Sequence, residues 1–505
     1  MIGATYSMGH YELYQETKDK NLFEEIVDQM IIDQVPGMND SFREKISLLD
    51  RTKKRMAILS LLDKDRNLFL KIKALFDNNI NRLDHIKDVI VMLREYVKVG
   101  DVEKKKYGEV MTPLELVKEM LATLPEDVWS NPNLKWLDPA NGSGPYPIMV
   151  IYKLMVGLKD WEPDDEKRYK HIMENMIYVS ELQPKNMFLY MCSVDPFDTY
   201  KLNIYSGSYL EEGFDYHMKN IWNIDKFDIV VMNPPYNDGS TNKANSLWDK
   251  FVFKTLNINL AENGYLVAVH PSGWRNVEGK FKYVQLALRE REMQYINMNT
   301  SQEGLKVFGS TTSFDFYCVR NIIGTDIKTK VIDIDNNVNQ IKLSDKELIP
   351  NYNLEGIFSL IAKDGDERVK ILSDYVYEHR RPHMNKEQTI EFKYPCVYSI
   401  KNGGIPTFKF SSLNNKGHFG IPKLILGNGA NPTYINDFNG EYAMTQFSYG
   451  IVDSVDNLKR IEEFLNSKSV KEITRATKFV STNGNPIIYP KILGLFRKDF
   501  WKEFI

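Results

Sequence analysis

The sequence predicts an α/β fold of Rossmann-like type, built on a mostly parallel sheet. Short apolar runs rich in β-branched residues recur between about 134 and 270, with helical stretches standing between them. One run leads from Leu134 through Asp138-Pro139-Ala140-Asn141-Gly142-Ser143-Gly144 into an apolar helix at about Ile148–Val156, the strand, glycine turn and helix that open a nucleotide-binding α/β unit. Another, Phe227-Asp228-Ile229-Val230-Val231-Met232, stops at Asn233-Pro234-Pro235-Tyr236. A continuous apolar run bounded by a charge and two prolines is the pattern of a central strand covered on both faces.

Composition narrows the class. At 505 residues the chain exceeds one ordinary domain, so two or three are expected. A hydrophobic content of 43% and a charged content of 26% are those of a soluble globular protein. The net charge of −3 argues against a uniformly basic coat and leaves room for a local basic groove. Cys192, Cys318 and Cys396 lie far apart, without a paired-cysteine motif or a histidine at ligand spacing. Buried free thiols in a reducing cytoplasm are expected, and no metal site. The N-terminus lacks a basic region followed by an apolar core, and no window approaches about 18 consecutive apolar residues, so a cytoplasmic protein without membrane association is expected.

Taken in order, residues 1–100 read as an N-terminal helical subdomain, with apolar residues at three- and four-residue spacing: Phe23, Ile26 and Met30, then Met56, Leu59 and Leu62, then Ile86, Val89, Met92 and Tyr96. Nothing there carries recognisable chemistry. Thr112, Pro113 and Glu115 then form the pattern of a capping box opening a helix over Leu114–Leu124. The Tyr107-Gly108-Glu109 turn ahead of it would set an aromatic ring beside that helix end. Asp138, at the end of the first strand, would repel a pyrophosphate and attract a cationic or amine-bearing group; no Gly-Lys-Ser/Thr follows to cradle phosphate. The second strand, Met176–Glu181, ends in a carboxylate where such folds hold ribose hydroxyls, although an exposed loop glutamate reads the same way. A third strand covers Leu202–Ser208, a helix Ser246–Leu260 and a strand Tyr265–Val269. Ser313–Val319 is expected as an edge strand with Lys328–Ile334 beside it.

At Asn233-Pro234-Pro235-Tyr236 the prolines fix φ and donate no backbone hydrogen bond, so the loop is stiff and the Pro234 carbonyl can accept. A rigid carbonyl, a side-chain amide and an aromatic face suit a planar group bearing an NH2. Two prolines alone would also fit a plain rigid turn. Beyond about residue 345 the alternation gives way to short strands broken by Gly, Asn and Pro, with a helix near Asp456–Ser467 striped by Leu458, Ile461 and Leu465. Between 380 and 423 eight Lys and Arg face two Glu, a net of six positive charges of the kind that meets a phosphate backbone.

In this order the segment Tyr107–Pro113, the Asp138–Gly144 turn, Glu181 and Asn233-Pro234-Pro235-Tyr236 resemble the amino-methylating DNA methyltransferases. The resemblance covers roughly residues 100–320 and is narrower still to the adenine-N6 group whose cofactor motifs precede the catalytic motif and the recognition domain. It implies a seven-stranded methyltransferase sheet over 101–340, an α+β DNA target-recognition domain over 341–505, and S-adenosylmethionine as cofactor. Asp138, Pro139, Ala140 and the Gly142–Gly144 turn would hold the methionine part and Glu181 the ribose, with Tyr107 and Thr112 closing over the methionine end. Asn233, Pro234, Pro235 and Tyr236 would be catalytic, acting on an adenine flipped out of double-stranded DNA. Two positions depart from the family: Ser208 stands where an Asp usually contacts the adenine ring, and Pro145-Tyr146-Pro147 replaces a Gly-aromatic pair. Cytosine N4, RNA adenine or a protein glutamine amide are alternative acceptors, and a catalytically inactive DNA-binding module is an alternative class. A separate restriction endonuclease as partner stays open, as does oligomeric state.

Overall fold

The computed structural model describes residues 82–96, 112–195, 199–237, 245–276, 279–324, 326–401, 403–427, 433–477 and 492–504. Of the expected helical subdomain only the helix Arg82–Tyr96 falls among them, with Ile86 and Val89 buried; Tyr107 lies outside the described residues. The chain divides into two compact units. The first takes the described residues up to Pro271 together with Tyr283–Ile332 and Val338–Asp345, and the second takes Ser272–Lys282, Asp333–Asn337 and the residues from Lys346 onward.

The first unit is organised on a nine-stranded sheet. Its strands are β1 (Trp136–Asp138), β2 (Ile177–Glu181), β3 (Asn203–Ser206), β4 (Phe227–Met232), β5 (Leu260–Pro271), β6 (Arg291–Asn299), β7 (Phe314–Ile323), β8 (Thr329–Ile332) and β9 (Val338–Ile341). They run in the order β3-β2-β1-β4-β5-β7-β6-β8-β9. Strands β1 to β5 pair in parallel, and β7 lies antiparallel to both β5 and β6. The first seven positions form the Rossmann-like sheet that the sequence implies, and the β8–β9 hairpin, joined in parallel to β6, extends it to nine.

Two expectations are corrected here. The stretch Ser313–Val319 is not an edge: β7 is inserted between β5 and β6, and its first six residues, Phe314–Val319, are all buried. Strand β8 accordingly pairs with β6 rather than with β7. An inserted strand loses contact with water on both faces, so its polar Asp315 goes in with the rest. The expected helix Ser246–Leu260 is shorter, Trp248–Lys254 followed by a wider π-type turn over Thr255–Asn259.

The sheet order reverses direction at β1, which has β2 on one side and β4 on the other. A crevice outside the carboxyl ends of the strands at such a point is where open α/β sheets bind ligands. The helix Pro145–Gly157 springs from the turn after β1 and is buried on almost every side, as its apolar sequence dictates. Gly144 makes the junction possible: its φ is +98°, and a Cβ there would lie 2.6 Å from the Tyr190 ring. All three cysteines are buried and free, as expected.

The second unit contains two four-stranded sheets of short strands. One orders β10 (Lys370–Leu372), β17 (Ser448–Val452), β14 (Lys423–Gly427) and β15 (Tyr434–Asp437); the other orders β11 (Met384–Asn385), β13 (Ile405–Ser411), β12 (Tyr394–Lys401) and β16 (Ala443–Met444). The helix Val455–Leu465 packs Leu458, Ile461 and Leu465 into this unit's core, on the stripe its sequence marks. Among the described residues no helix is long and apolar enough to cross a membrane.

Candidate active site

The carboxyl ends of β1, β2, β3 and β4 open onto one cavity in the first unit. Asn233, Pro234 and Pro235 line it from the end of β4, and Glu181 and Leu182 from the end of β2. The glycine turn contributes Pro139, Ala140 and Gly142, and the loop after β3 contributes Gly207 and Ser208. Residues from three separate sequence motifs thus converge on one space.

The two carboxylates there are held in opposite ways. Glu181 accepts from the Gly142 N–H at 2.7 Å through Oε2 and from the Gln183 N–H at 2.7 Å through Oε1. It thereby ties the glycine turn to the end of β2 while still facing the cavity. Asp138 is buried, and its Oδ1 accepts from the Ala140 N–H at 3.1 Å. Its Oδ2, equally buried, has no hydrogen-bond partner among the described residues. Burial, with the neighbouring Glu181 charge adding to it, pushes the Asp138 carboxyl up to about 8. A cationic donor at Oδ2 would supply the missing partner and restore the ionised form.

Thr112 is not the helix cap that the capping-box pattern predicts. The helix runs Leu114–Leu121, Pro113 occupies the cap position, and no side chain caps it. The Thr112 hydroxyl is used elsewhere: it lines the cavity and accepts from Asn233 Nδ2 at 2.9 Å, across a sequence separation of 121. With Pro113 in the cap position, Thr112 stands one residue outside the helix end and its hydroxyl meets the distant amide instead.

Of the remaining sequence-marked residues, Ser208 lines the cavity and its Oγ accepts from the Leu210 N–H at 3.3 Å, closing its own turn. Asp138 and Gly144 lie behind the lining rather than in it. Tyr236 also does not line the cavity: its ring is 7% exposed and stands edge-on to Phe308, with centroids 6.5 Å apart. Its hydroxyl is buried without a hydrogen-bond partner among the described residues, and burial pushes its ionisation well above the usual range. The structure adds lining residues that the sequence reading missed, chiefly Leu182, Asn186, Leu247 and Phe251. Leu182 carried a sequence signal only in its place, a large apolar residue directly after a strand-ending acid; the structure leaves it 45% exposed. Phe251 sits on the helix Trp248–Lys254 and has no local pattern that marks it.

In the second unit the basic stretch needs one subtraction. Lys423 is buried and pairs with Asp437 at 2.6 Å, so seven cations rather than eight remain against two acids, a net of five. Of those seven, Arg380 pairs with Glu378, while Lys386, Lys401 and Lys416 are exposed.

The N-6 DNA methylase family model matches residues 87–269. An uncharacterized adenine-specific methylase of Mycoplasma pneumoniae is 28% identical, over 33% of this chain and 55% of that protein, so the chain spans about half the length of the curated relative it matches. Among solved structures, a complex of DrdV with DNA is 11% identical with a TM-score of 0.44, covering 79% of this chain and 47% of that one. A putative class I S-adenosylmethionine-dependent methyltransferase from Listeria monocytogenes is 12% identical with a TM-score of 0.37, covering 61% and 90%. At such scores these likenesses add nothing to the sheet order already described. The family match spans the glycine turn, Glu181 and the Asn233–Tyr236 loop.

Proposed function

We propose that this chain is a site-specific DNA methyltransferase that moves a methyl group from S-adenosylmethionine to adenine N6 in duplex DNA, in the cytoplasm, in restriction-modification or DNA protection. The observation that carries the reading is the convergence of Asn233 and Pro234 with Glu181 and the glycine turn on one cavity, above a buried Asp138 oxygen that lacks a partner. A dinucleotide or nucleoside triphosphate would bring phosphates to a place where a carboxylate waits. A cofactor carrying an ammonium and a sulfonium brings the opposite charge.

The residues present fit that cofactor. Asp138 and the Pro139–Gly144 turn would hold its amino-acid end, Glu181 its ribose, and Leu182 and Ser208 the ring. When bound, S-adenosylmethionine supplies an electrophilic methyl group on sulfur. The chain's own part is positional. Asn233 Oδ1 and the Pro234 carbonyl accept from the adenine NH2, which localises the nitrogen lone pair and aims it; the nitrogen proton leaves after transfer. No side chain of shifted pKa is required as base, and fixed geometry supplies most of the rate. Tyr236 would stack on the flipped base, which requires its ring to leave the Phe308 contact when DNA binds. The basic stretch of the second unit would meet the phosphate backbone.

The test is direct. Unmethylated DNA is incubated with the protein and methyl-labelled cofactor, then digested to nucleosides. Label in N6-methyladenine is expected; label in N4-methylcytosine would move the acceptor, and unlabelled bases would overturn the proposal. Asn233→Ala in the same assay is expected to lose about a thousandfold or more in rate, the scale of removing a key oriented polar group from an active site.

A further inference from the structure

We infer that His379, Tyr398 and Phe447 form a base-reading contact in the second unit, in which His379 donates from Nε2 to an acceptor on a base edge of duplex DNA; this rests on the proposed function as a DNA methyltransferase. Lysines that meet a phosphate backbone hold every sequence alike. A fixed donor beside an exposed ring can tell one base pair from another.

The contact is built on a break in register. Strand β12 pairs with β13, and the pairing shifts between Val397 and Ser399, which leaves Tyr398 in a bulge. A bulge re-aims a side chain without ending the strand. The Tyr398 ring meets three groups from outside its own strand: His379 edge-on with centroids 5.7 Å apart, Phe447 edge-on at 5.2 Å, and Lys409 Nζ at 4.9 Å from the ring centre. His379 and Phe447 also meet each other at 5.7 Å. This cluster lies at the surface, with Phe447 37% exposed and the His379 side chain 28% exposed.

The imidazole is held from behind in one tautomer. Gln446 Oε1 accepts from the His379 backbone N–H at 3.2 Å. The other end of that amide is then the NH2, and it meets His379 Nδ1. An NH2 only donates, so Nδ1 accepts and the neutral ring carries its hydrogen on Nε2. Among the described residues Nε2 has no hydrogen-bond partner. His418 of the same unit shows the contrast. It is buried, its Nε2 meets Asp374 at 3.0 Å and its Nδ1 accepts from the Met444 N–H at 3.1 Å, so both nitrogens are spent inside.

Charge around the cluster suits a polyanion. Arg380 is exposed next to His379, and Lys386 and Lys401 are exposed just after β11 and at the end of β12. The one acid close by, Glu378, is largely covered and accepts from Arg380 Nε at 2.5 Å. A single N–H donor with an apolar ring beside it matches the major-groove edge of a base pair. There guanine N7 and O6, adenine N7 and thymine O4 accept, and the thymine methyl packs on apolar groups.

Five proteins test this: wild type, His379→Ala, Gln446→Leu, Phe447→Ala and the surface control Lys386→Gln. Sequence selection is read twice, from the methylated sites in DNA of an expressing host and from duplexes retained out of a random pool. Affinity for the selected duplex is followed over a salt series, and thermal midpoints show which variants are folded. His379→Ala is expected to lose selection at one base pair of the site and to bind the wild-type duplex about tenfold more weakly, within the range of a single mismatched pair. Gln446→Leu frees the ring to turn and loosens the same base pair by a smaller factor. Phe447→Ala loosens that pair or its neighbour. Lys386→Gln lowers the salt slope by about one and leaves selection as it was. Folded His379→Ala and Phe447→Ala proteins with wild-type selection overturn the inference, as does an affinity loss equal for every sequence. Should removing either ring unfold the unit, Gln446→Leu keeps both rings and decides alone. A wild type that selects a sequence from the pool and methylates no DNA defeats the functional reading, and the pool still decides the contact. A wild type without sequence preference, or one that binds a poly-glutamate peptide and no duplex, overturns the contact.

Discussion

Two buried aspartates, one in each unit, stand in opposite states. In the second unit Asp437 Oδ1 accepts from the Glu441 N–H, and Oδ2 accepts from the Tyr442 N–H and from Lys423 Nζ. Lys423 spends its other two hydrogens on the His418 and Ile421 carbonyls. Every charge-bearing atom of that pair is answered from within the chain. In the first unit Asp138 has one oxygen answered and one not. Burying an unanswered polar atom costs about 1–3 kcal/mol, so its persistence beside a cavity marks a place kept for something the chain does not supply. A satisfied buried charge belongs to architecture, and an unsatisfied one belongs to binding.

The sharpest way to break that contrast is to remove one partner from each. Lys423→Met leaves Asp437 buried without its cation and is expected to cost about 3–5 kcal/mol of stability, read as a lower denaturant midpoint. Asp138→Asn should do the reverse. It removes a group that folding disfavours in its charged form, so stability at pH 8 is expected to hold or rise. Cofactor affinity should fall about 10- to 100-fold, the worth of a charge-assisted hydrogen bond. A Lys423→Met protein of unchanged stability, or an Asp138→Asn protein that binds the cofactor normally, would erase the distinction.

A pH series sharpens the same point with a smaller effect. Burial raises the folded-state pKa of Asp138 from 3.8 to about 8. Between those values the folded protein holds a proton that the unfolded chain has released, so this group's contribution to stability falls as pH rises and levels off above about 8. Asp138→Asn is expected to remove that decline from the ligand-free protein. Because a cationic ligand favours the ionised carboxylate, wild-type cofactor affinity should also strengthen with pH up to about 8, with proton release on binding. Calorimetry in buffers of different ionisation enthalpy measures that release, and a wild type that releases no proton on binding would show Asp138 to be ionised already.

Much of the first unit was legible because its chemistry is compressed into contiguous motifs. Asn233-Pro234-Pro235 and the Asp138–Gly144 turn each combine a strand end, a loop and a functional group in a few residues, and a strand's end is where this fold puts its ligands. What escaped was set by distance along the chain. No local pattern links Thr112 to Asn233, and nothing in the sequence shows that Pro113 rather than Thr112 takes the cap position. Tyr236 reads as a stacking face because rings follow this motif, yet its burial against Phe308 depends on a helix, Ser301–Phe308, that lies more than sixty residues on. Strand β7 alternates like an edge in sequence, and only sheet order reveals that both of its faces are covered. In the second unit a count of charges could not separate Lys423, paired inside, from its neighbours outside.

That last failure yields the smallest predicted effect. Lys386 and Lys416 belong to the same sequence count as Lys423, but they are exposed and form no ion pair among the described residues. An exposed cation adds little to folding, so Lys386→Gln and Lys416→Gln should leave stability within about 0.5 kcal/mol of wild type. If this surface meets a phosphate backbone, each substitution removes about one counterion released on binding. The slope of log affinity for DNA against log salt would then shrink by about one unit per lysine, by the same amount for every DNA sequence tested. Lys401→Gln extends the series along β12. Lys423→Met is the internal control, because its cation is buried and can release no counterion: any loss of DNA affinity it causes should follow loss of fold and leave the salt slope of the folded fraction intact. A salt slope untouched by all three exposed lysines would place the phosphate contacts elsewhere on the chain, and a sequence-dependent loss at any one of them would promote that lysine from backbone contact to base contact.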